Sequence, residues 1–131
     1  MATLTHEAAS HRAQAWLGAQ AGQGLAISEW VVTEFSSALS IKRRTGQLPE
    51  QGRAGALAAF RALVAGGLEV AAVTSAHFRT AAQFADRHDL ALRASDALHL
   101  AIAASRGDTV CTMDRRLGDA GPCLGVATLL V

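Results

Sequence analysis

The sequence predicts one α/β domain over residues 1–131, with a mostly parallel sheet flanked by helices. Its length of 131 residues suits a single domain. Half of the residues are hydrophobic and 18% are charged, which is enough apolar material for a core and argues against disorder. Strand-like apolar runs also alternate with segments of helical period along the chain. This alternation is typical of parallel strands joined by helical crossovers.

The first half of the chain carries local boundary signals for five elements. Glycines end the first predicted helix, Ser28 caps the second, Pro49 opens the third and Gly66 stops it. The expected elements are a helix over 6–19, a strand over 24–27, a helix from 28 to about 44, a helix over 49–65 and a strand over 68–73.

The second half continues the alternation. Thr74 or Ser75 is expected to cap the next helix, and Gly121–Pro122 is expected to form a turn. The expected elements are a helix over 76–88, a helix over 95–106, a strand over 109–113, a short helix over 115–120 and a last strand over 126–130.

The helix LRASDALHLAIAAS places one carboxylate, Asp96, at the start of an otherwise apolar segment. Ser95 is a suitable N-cap residue, and Asp96 in the first turn is stabilised by the helix dipole. The helix is apolar nearly all round, so we expect it to be buried. A carboxylate there is costly unless a cation meets it.

Two further acids lie in unusual surroundings. At helical spacing Glu34 shares a face with Trp30, Ala38 and Ile41, and Asp114 directly follows the strand TVCTM. Ligands of parallel α/β sheets bind at the carboxyl ends of strands, where these acids could converge with Asp96. Each also has an ordinary explanation: a tertiary arginine partner for Glu34, plain capping for Asp96, and a turn paired with Arg115 or Arg116 for Asp114.

Converging carboxylates require a cation between them, and an all-oxygen ligand set suits Mg²⁺ or Mn²⁺. Such metals are typical of phosphodiester cleavage. Thr112 faces the same side of its strand as Asp114, where its hydroxyl can bond the carboxylate or a metal-bound water. Thr112, Arg115 and Arg116 are therefore candidate substrate-binding residues. The chain has no GxSxG, GxGxxG or P-loop sequence.

The overall charge and the cysteines give no other signal. The formal net charge is +1, so there is no bulk electrostatic signature of a nucleic-acid binder. Its two cysteines, of which Cys111 is expected to be a buried thiol, show no zinc or redox spacing. We see no signal peptide and no apolar run long enough to span a bilayer, and so expect a cytoplasmic protein without membrane contact.

Three segments together resemble the PIN-domain ribonucleases, specifically VapC-type toxins: SEWVVTEFSSALSIKRRTGQL, LRASDALHLAIAASRG and TVCTMDRRL. The resemblance implies a three-layer PIN-like fold and endonucleolytic RNA cleavage at a Mg²⁺ cluster that includes Glu34, Asp96 and Asp114. It also implies a small antitoxin that blocks the acidic pocket, and a homodimer. The metal chemistry itself does not distinguish RNA from DNA.

The sequence departs from this family pattern at its start. The family begins with a short apolar strand followed by a metal-binding Asp, whereas this chain has no Asp before Asp86. Two explanations remain open: the true start lies upstream, or the protein is a variant that binds antitoxin without cutting. A missing central strand leaves unpaired edges, so we expect the chain as written to be poorly stable alone or hydrolytically weak.

Overall fold

The helices and strands follow the predicted alternation. The computed structural model describes residues 10–20 and 22–131. Residues 6–9 of the first predicted helix lie outside these ranges. The described elements are α1 (Ser10–Ala19), β1 (Ala26–Ser28), α2 (Glu29–Arg44), α3 (Glu50–Ala65), β2 (Glu69–Ala71), α4 (Ser75–Ala85), a 3₁₀ helix (His88–Leu90), α5 (Ala94–Arg106), β3 (Val110–Thr112), α6 (Arg115–Cys123) and β4 (Thr128–Leu130).

The described strands form two parallel pairs. β1 pairs with β2, with Ala26 opposite Glu69, and β3 pairs with β4, with Val110 opposite Thr128. The crossover between β1 and β2 contains α2 and α3, and the crossover between β3 and β4 contains α6. Parallel strands joined through helices confirm the predicted α/β fold class.

The chain divides into two compact units, residues 1–72 and residues 73–131. In the first unit a small core joins α2 to α3 through Phe35, Leu39 and Ala56. The rings of Phe35 and Phe60 stack with their centroids 4.6 Å apart. This core buries one face of α2, as the amphipathic pattern of that segment requires.

In the second unit the core is built around α5. The prediction that this helix is buried is confirmed, since six of its residues are buried: Ala97, Leu98, Leu100, Ala101, Ile102 and Ala103. Leu100 and Ala103 pack with Leu117 of α6 and with Val126. The apolar face of α6 and the segment before β4 therefore close over the same helix.

The predicted boundaries of α2 and α3 are confirmed. The Ser28 hydroxyl accepts a hydrogen bond from the Val31 amide at 3.3 Å, which is the expected N-cap contact. Pro49 precedes the first residue of α3, and Gly66 is its C-cap. These boundaries were predictable because each depends on residues next to the helix end.

Four expectations about the other elements were wrong in detail. The strands have three residues each, shorter than predicted, and α4 ends at Ala85 rather than near 88. Ser95 lies inside α5, whose N-cap is Arg93. Cys111 is exposed rather than buried, because it alternates with the partly buried Val110 and Thr112 on a three-residue strand.

The end of α6 also differs from the prediction. Gly121 and Pro122 lie within α6 rather than in a turn. Pro122 cannot donate to the carbonyl of Gly118 four residues earlier. The Thr128 hydroxyl supplies the missing donor to that carbonyl at 2.6 Å. A tertiary hydrogen bond thus allows the helix to continue through a residue that normally ends it.

Candidate metal centre

Asp96 lies in the first turn of α5 and binds back to the backbone before the helix. Its Oδ2 accepts a hydrogen bond from the Arg93 amide at 3.2 Å. This contact satisfies one of the amides that a helix start leaves without a partner. The Asp96 side chain is only 15% exposed, so its carboxylate is largely removed from water. Asp96 therefore does bond a backbone amide at the helix start, as the capping alternative predicted.

Asp114 is the N-cap of α6. Its Oδ1 accepts hydrogen bonds from the amides of Arg116 at 2.9 Å and Leu117 at 3.4 Å. The hydroxyl of Thr112 in turn accepts a hydrogen bond from the Asp114 amide at 3.0 Å. Thr112 thus orients Asp114 through the backbone amide, a partner different from the carboxylate contact expected from the sequence.

Arg116 joins the two carboxylates. Its Nη2 lies 3.4 Å from Asp96 Oδ2 and 3.7 Å from Asp114 Oδ2. Arg116 is therefore a cation beside Asp96, as the sequence required, and the alternative explanation of Asp114 as a residue paired with a following arginine also holds. The contact between Arg116 and Asp96 joins residues 20 positions apart, and no local pattern pointed to it. The Asp-Arg-Arg sequence at a helix start signals only the pairing of Arg116 with Asp114.

The Arg116 guanidinium is incompletely satisfied. Its Nε is buried and has no hydrogen-bond partner among the described residues. The 3.4 Å and 3.7 Å distances also exceed the length of about 2.7–2.9 Å typical of charge-assisted hydrogen bonds. Charge attraction more than hydrogen bonding holds this side chain between the acids. Arg115, the other candidate from this turn, is exposed at the first position of α6.

Glu34 lies in the first unit, in a surface groove of about 420 Å³ along α2. The groove residues are Trp30, Thr33, Glu34, Ser37, Ala38 and Ile41. The predicted shared face of Glu34, Trp30, Ala38 and Ile41 is thus present. The indole Nε1 of Trp30 is buried without a hydrogen-bond partner in the described part of the chain. The role of Glu34 as a metal ligand stays a prediction.

The donor atoms around Arg116 fit a divalent cation of the Mg²⁺ type. Carboxylate oxygens from α5 and α6 already face one positive group, and hard oxygen donors are what Mg²⁺ and Mn²⁺ prefer. Both acids also lie at helix N-termini, where the helix dipole favours negative charge. Among residues 10–20 and 22–131, no group of three or more His, Cys, Asp or Glu side chains forms a complete metal site.

The parallel α/β architecture and the pair of acids at two helix N-termini are consistent with the class that the sequence comparison defines. Residues 1–121 match the PIN domain family, so the chain belongs to this family. PIN domains are generally metal-dependent nucleases. A comparison with curated proteins finds no match to this chain. None of the described helices is both long and apolar enough to cross a membrane.

Proposed function

We propose that this protein is a Mg²⁺- or Mn²⁺-dependent endoribonuclease and the toxin of a toxin–antitoxin pair. The observation that carries the proposal is the Asp96–Asp114 pair, two carboxylates from different helices facing one cation in a PIN-domain chain. Glu34 is the third proposed acid. The proposed substrate is RNA, and Thr112, Arg115 and Arg116 are the proposed substrate-side residues.

The positions of the two acids support this chemistry. Asp96 and Asp114 are each fixed by backbone amides, so their carboxylates are oriented before any ligand arrives. These acids, with Glu34, would hold the metal ion, which when bound activates water for attack on phosphorus and stabilises the leaving oxygen. Exposed Arg115 can contact a phosphate, since arginine forms bidentate bonds with phosphate oxygens.

The proposed partners follow from the same family assignment. PIN nucleases bind RNA and often antitoxins. We propose a small antitoxin that covers the acid pair, a homodimer as the working form, and a cytoplasmic location. Co-expression with a candidate antitoxin tests the first of these: a complex that survives gel filtration is expected, and its absence at micromolar concentration contradicts the antitoxin.

RNA cleavage by the full chain tests the enzymatic proposal. A mixture of structured RNAs is incubated with Mg²⁺, Mn²⁺ or a chelator, and the products are mapped at nucleotide resolution. Asp96→Asn is expected to lower the rate by about a hundredfold or more, because it removes a charge aimed at the reacting centre. Glu34→Gln is expected to lower it as well, and DNA of the same sequence is expected to stay intact.

Asp89→Asn is the matched control. Asp89 is exposed and receives two hydrogen bonds from Arg87, at 3.0 and 2.9 Å. The Arg87 hydrogen bond lowers the pKa of Asp89, so the substitution removes one negative charge at neutral pH, outside the acid pair. Its cleavage rate should equal that of the unmodified chain. Intact RNA with either metal, from protein shown to be folded by circular dichroism, contradicts the proposal.

A second candidate is a binding module that captures antitoxin without cutting. The favouring observation is that Arg116 already offsets one of the two negative charges of the Asp96–Asp114 pair. A stable antitoxin complex together with RNA that stays intact under both metals would support this candidate over the nuclease.

A further inference from the structure

We propose that Arg116 is a built-in counter-ion that competes with the divalent cation for Asp96 and Asp114. In the structure its guanidinium lies beside both carboxylates, and in this proposal it moves away when the metal binds. This inference rests on the proposed function in one respect, namely that the acid pair is the metal site.

The first argument is the electrostatic need of the pair. The Asp96 side chain is 15% exposed, and an isolated carboxylate in such a place is costly. Arg116 Nη2 is 3.4 Å from Asp96 and 3.7 Å from Asp114, so a single positive group serves both acids. A divalent cation that binds the same two carboxylates must take over this position.

The second argument is that Arg116 is held loosely enough to leave. Both of its distances to the acids are long for charge-assisted hydrogen bonds, and its buried Nε has no partner among the described residues. A buried N–H without a partner has lost its hydrogen bond to water, and the side chain regains that bond when it moves into solvent. Arg116 is 39% exposed, so a path to solvent exists.

The third argument is that the departure of Arg116 leaves the acids in place. Asp114 is held by the backbone amides of Arg116 and Leu117, not by the guanidinium. Asp96 keeps its bond from the Arg93 amide. The side chain of Arg116 can therefore swing out while its own backbone continues to orient Asp114.

Metal titration of the full chain tests the competition. Binding of Mn²⁺ is measured by isothermal titration calorimetry for the unmodified chain, Arg116→Met, Arg115→Met and Asp96→Asn. Methionine keeps much of the apolar length of arginine and removes its charge. Arg116→Met is expected to bind Mn²⁺ about 5- to 10-fold more tightly, a typical coupling between two competing ligands. Asp96→Asn is expected to abolish binding.

Arg115→Met is the matched control, because it removes the same charge one residue away, on an exposed side chain. An affinity gain confined to Arg116→Met supports the competition. Equal Mn²⁺ affinities for Arg116→Met and Arg115→Met overturn it, as does weaker binding by Arg116→Met. If neither the unmodified chain nor Arg116→Met binds Mn²⁺, the metal site of the proposed function fails as well.

A measurement on the unmodified chain covers the case in which Arg116→Met does not fold. The Arg116 Nε–H resonance is assigned in a ¹H–¹⁵N spectrum by its loss in Arg116→Lys. Addition of Mg²⁺ is expected to move this resonance toward the position of solvent-exposed arginines. A resonance that stays in place while Mg²⁺ saturates the acids contradicts the displacement of Arg116.

Discussion

The two units of the chain differ in how completely they bury their helices. In residues 1–72, α2 and α3 share a small core in which Leu39 is the most deeply buried large side chain. In residues 73–131, α5 is buried along most of its length around Leu100. The second unit thus has a continuous core beneath one helix, whereas the first has a local contact between two helices.

The candidate acids follow the same division. Asp96 and Asp114 lie at the N-termini of α5 and α6, two helices whose inner faces belong to the core around Leu100. Glu34 lies on α2 along an open groove. Acids that begin well-buried helices have both a fixed backbone and a favourable helix dipole. Within the second unit, Asp96 and Asp114 are therefore carried by backbone that is fixed by a continuous core.

The largest expected effect comes from truncating the central leucine of each core. Leu100→Ala should lower the free energy of unfolding by about 3–5 kcal/mol, and Leu39→Ala by about 2–3 kcal/mol. Leu100 lies on a helix with six buried residues, whereas α2 buries two, Phe35 and Leu39, so the surroundings of Leu39 can relax further into the space left by truncation. Urea titration followed by circular dichroism measures both. A larger cost for Leu39→Ala would reverse the ranking of the two cores.

A smaller effect is expected from adding one methyl group to a helical glycine in each unit. A Cβ at Gly121 would overlap the Thr128 side chain and lie 3.0 Å from the Val126 carbonyl oxygen. Gly121→Ala should therefore cost about 1–3 kcal/mol of stability. A Cβ at Gly55, inside α3, would meet nothing within 4 Å. Gly55→Ala should gain about 0.5–1 kcal/mol from helix propensity.

Thermal unfolding of the two alanine variants side by side measures this contrast. The expected changes in stability have opposite signs, a loss for Gly121→Ala and a gain for Gly55→Ala. A general effect of alanine on helix stability cannot produce this difference. A stabilised Gly121→Ala would mean that β4 does not lie against α6 as closely as the structure places it.

Sequence reasoning succeeded where the determining contact is local. The Ser28 cap, the Pro49 start and the Gly66 stop lie beside the helix ends that they define. The prediction of Ser95 as the N-cap of α5 was wrong. The Asp96 carboxylate accepts a hydrogen bond from the Arg93 amide, so this amide at the helix start is satisfied without a capping side chain from Ser95. Strand lengths were overestimated because a strand extends only as far as its partner, which the sequence of one segment does not specify.

The predictions for the candidate site divide in the same way, into local features that the sequence indicates and tertiary contacts that it does not. The places of Asp96 and Asp114 at helix starts were predictable, because both stand beside local helix-boundary signals in the sequence. Their shared contact with Arg116 was not predictable, since it depends on how α5 and α6 pack. Thr112 shows a third case: its hydroxyl was expected to bond the Asp114 carboxylate or a metal-bound water, and in the structure it accepts a hydrogen bond from the Asp114 amide.

The smallest expected effect comes from removing one threonine hydroxyl in each unit. The Thr128 hydroxyl donates to the Gly118 carbonyl at 2.6 Å, in a partly buried place where Pro122 offers no amide. Thr128→Val should cost about 1–2 kcal/mol, because the carbonyl loses its partner. The Thr45 hydroxyl donates to Ile41 at the exposed end of α2. Thr45→Val should cost less than about 0.5 kcal/mol, since water replaces the hydroxyl.

In Thr128→Val, stability can fall because the hydrogen bond to the Gly118 carbonyl is lost or because valine has a different shape. A second substitution, Pro122→Ala, separates these two causes. Alanine restores an amide that can donate to the Gly118 carbonyl, so this substitution should recover part of the stability lost in Thr128→Val. In the Thr45→Val background the same change should add no such recovery, because Thr45 has no part in α6. If Pro122→Ala has equal effects in both backgrounds, measured by urea titration, then the Thr128 hydroxyl is not what permits α6 to continue past Pro122.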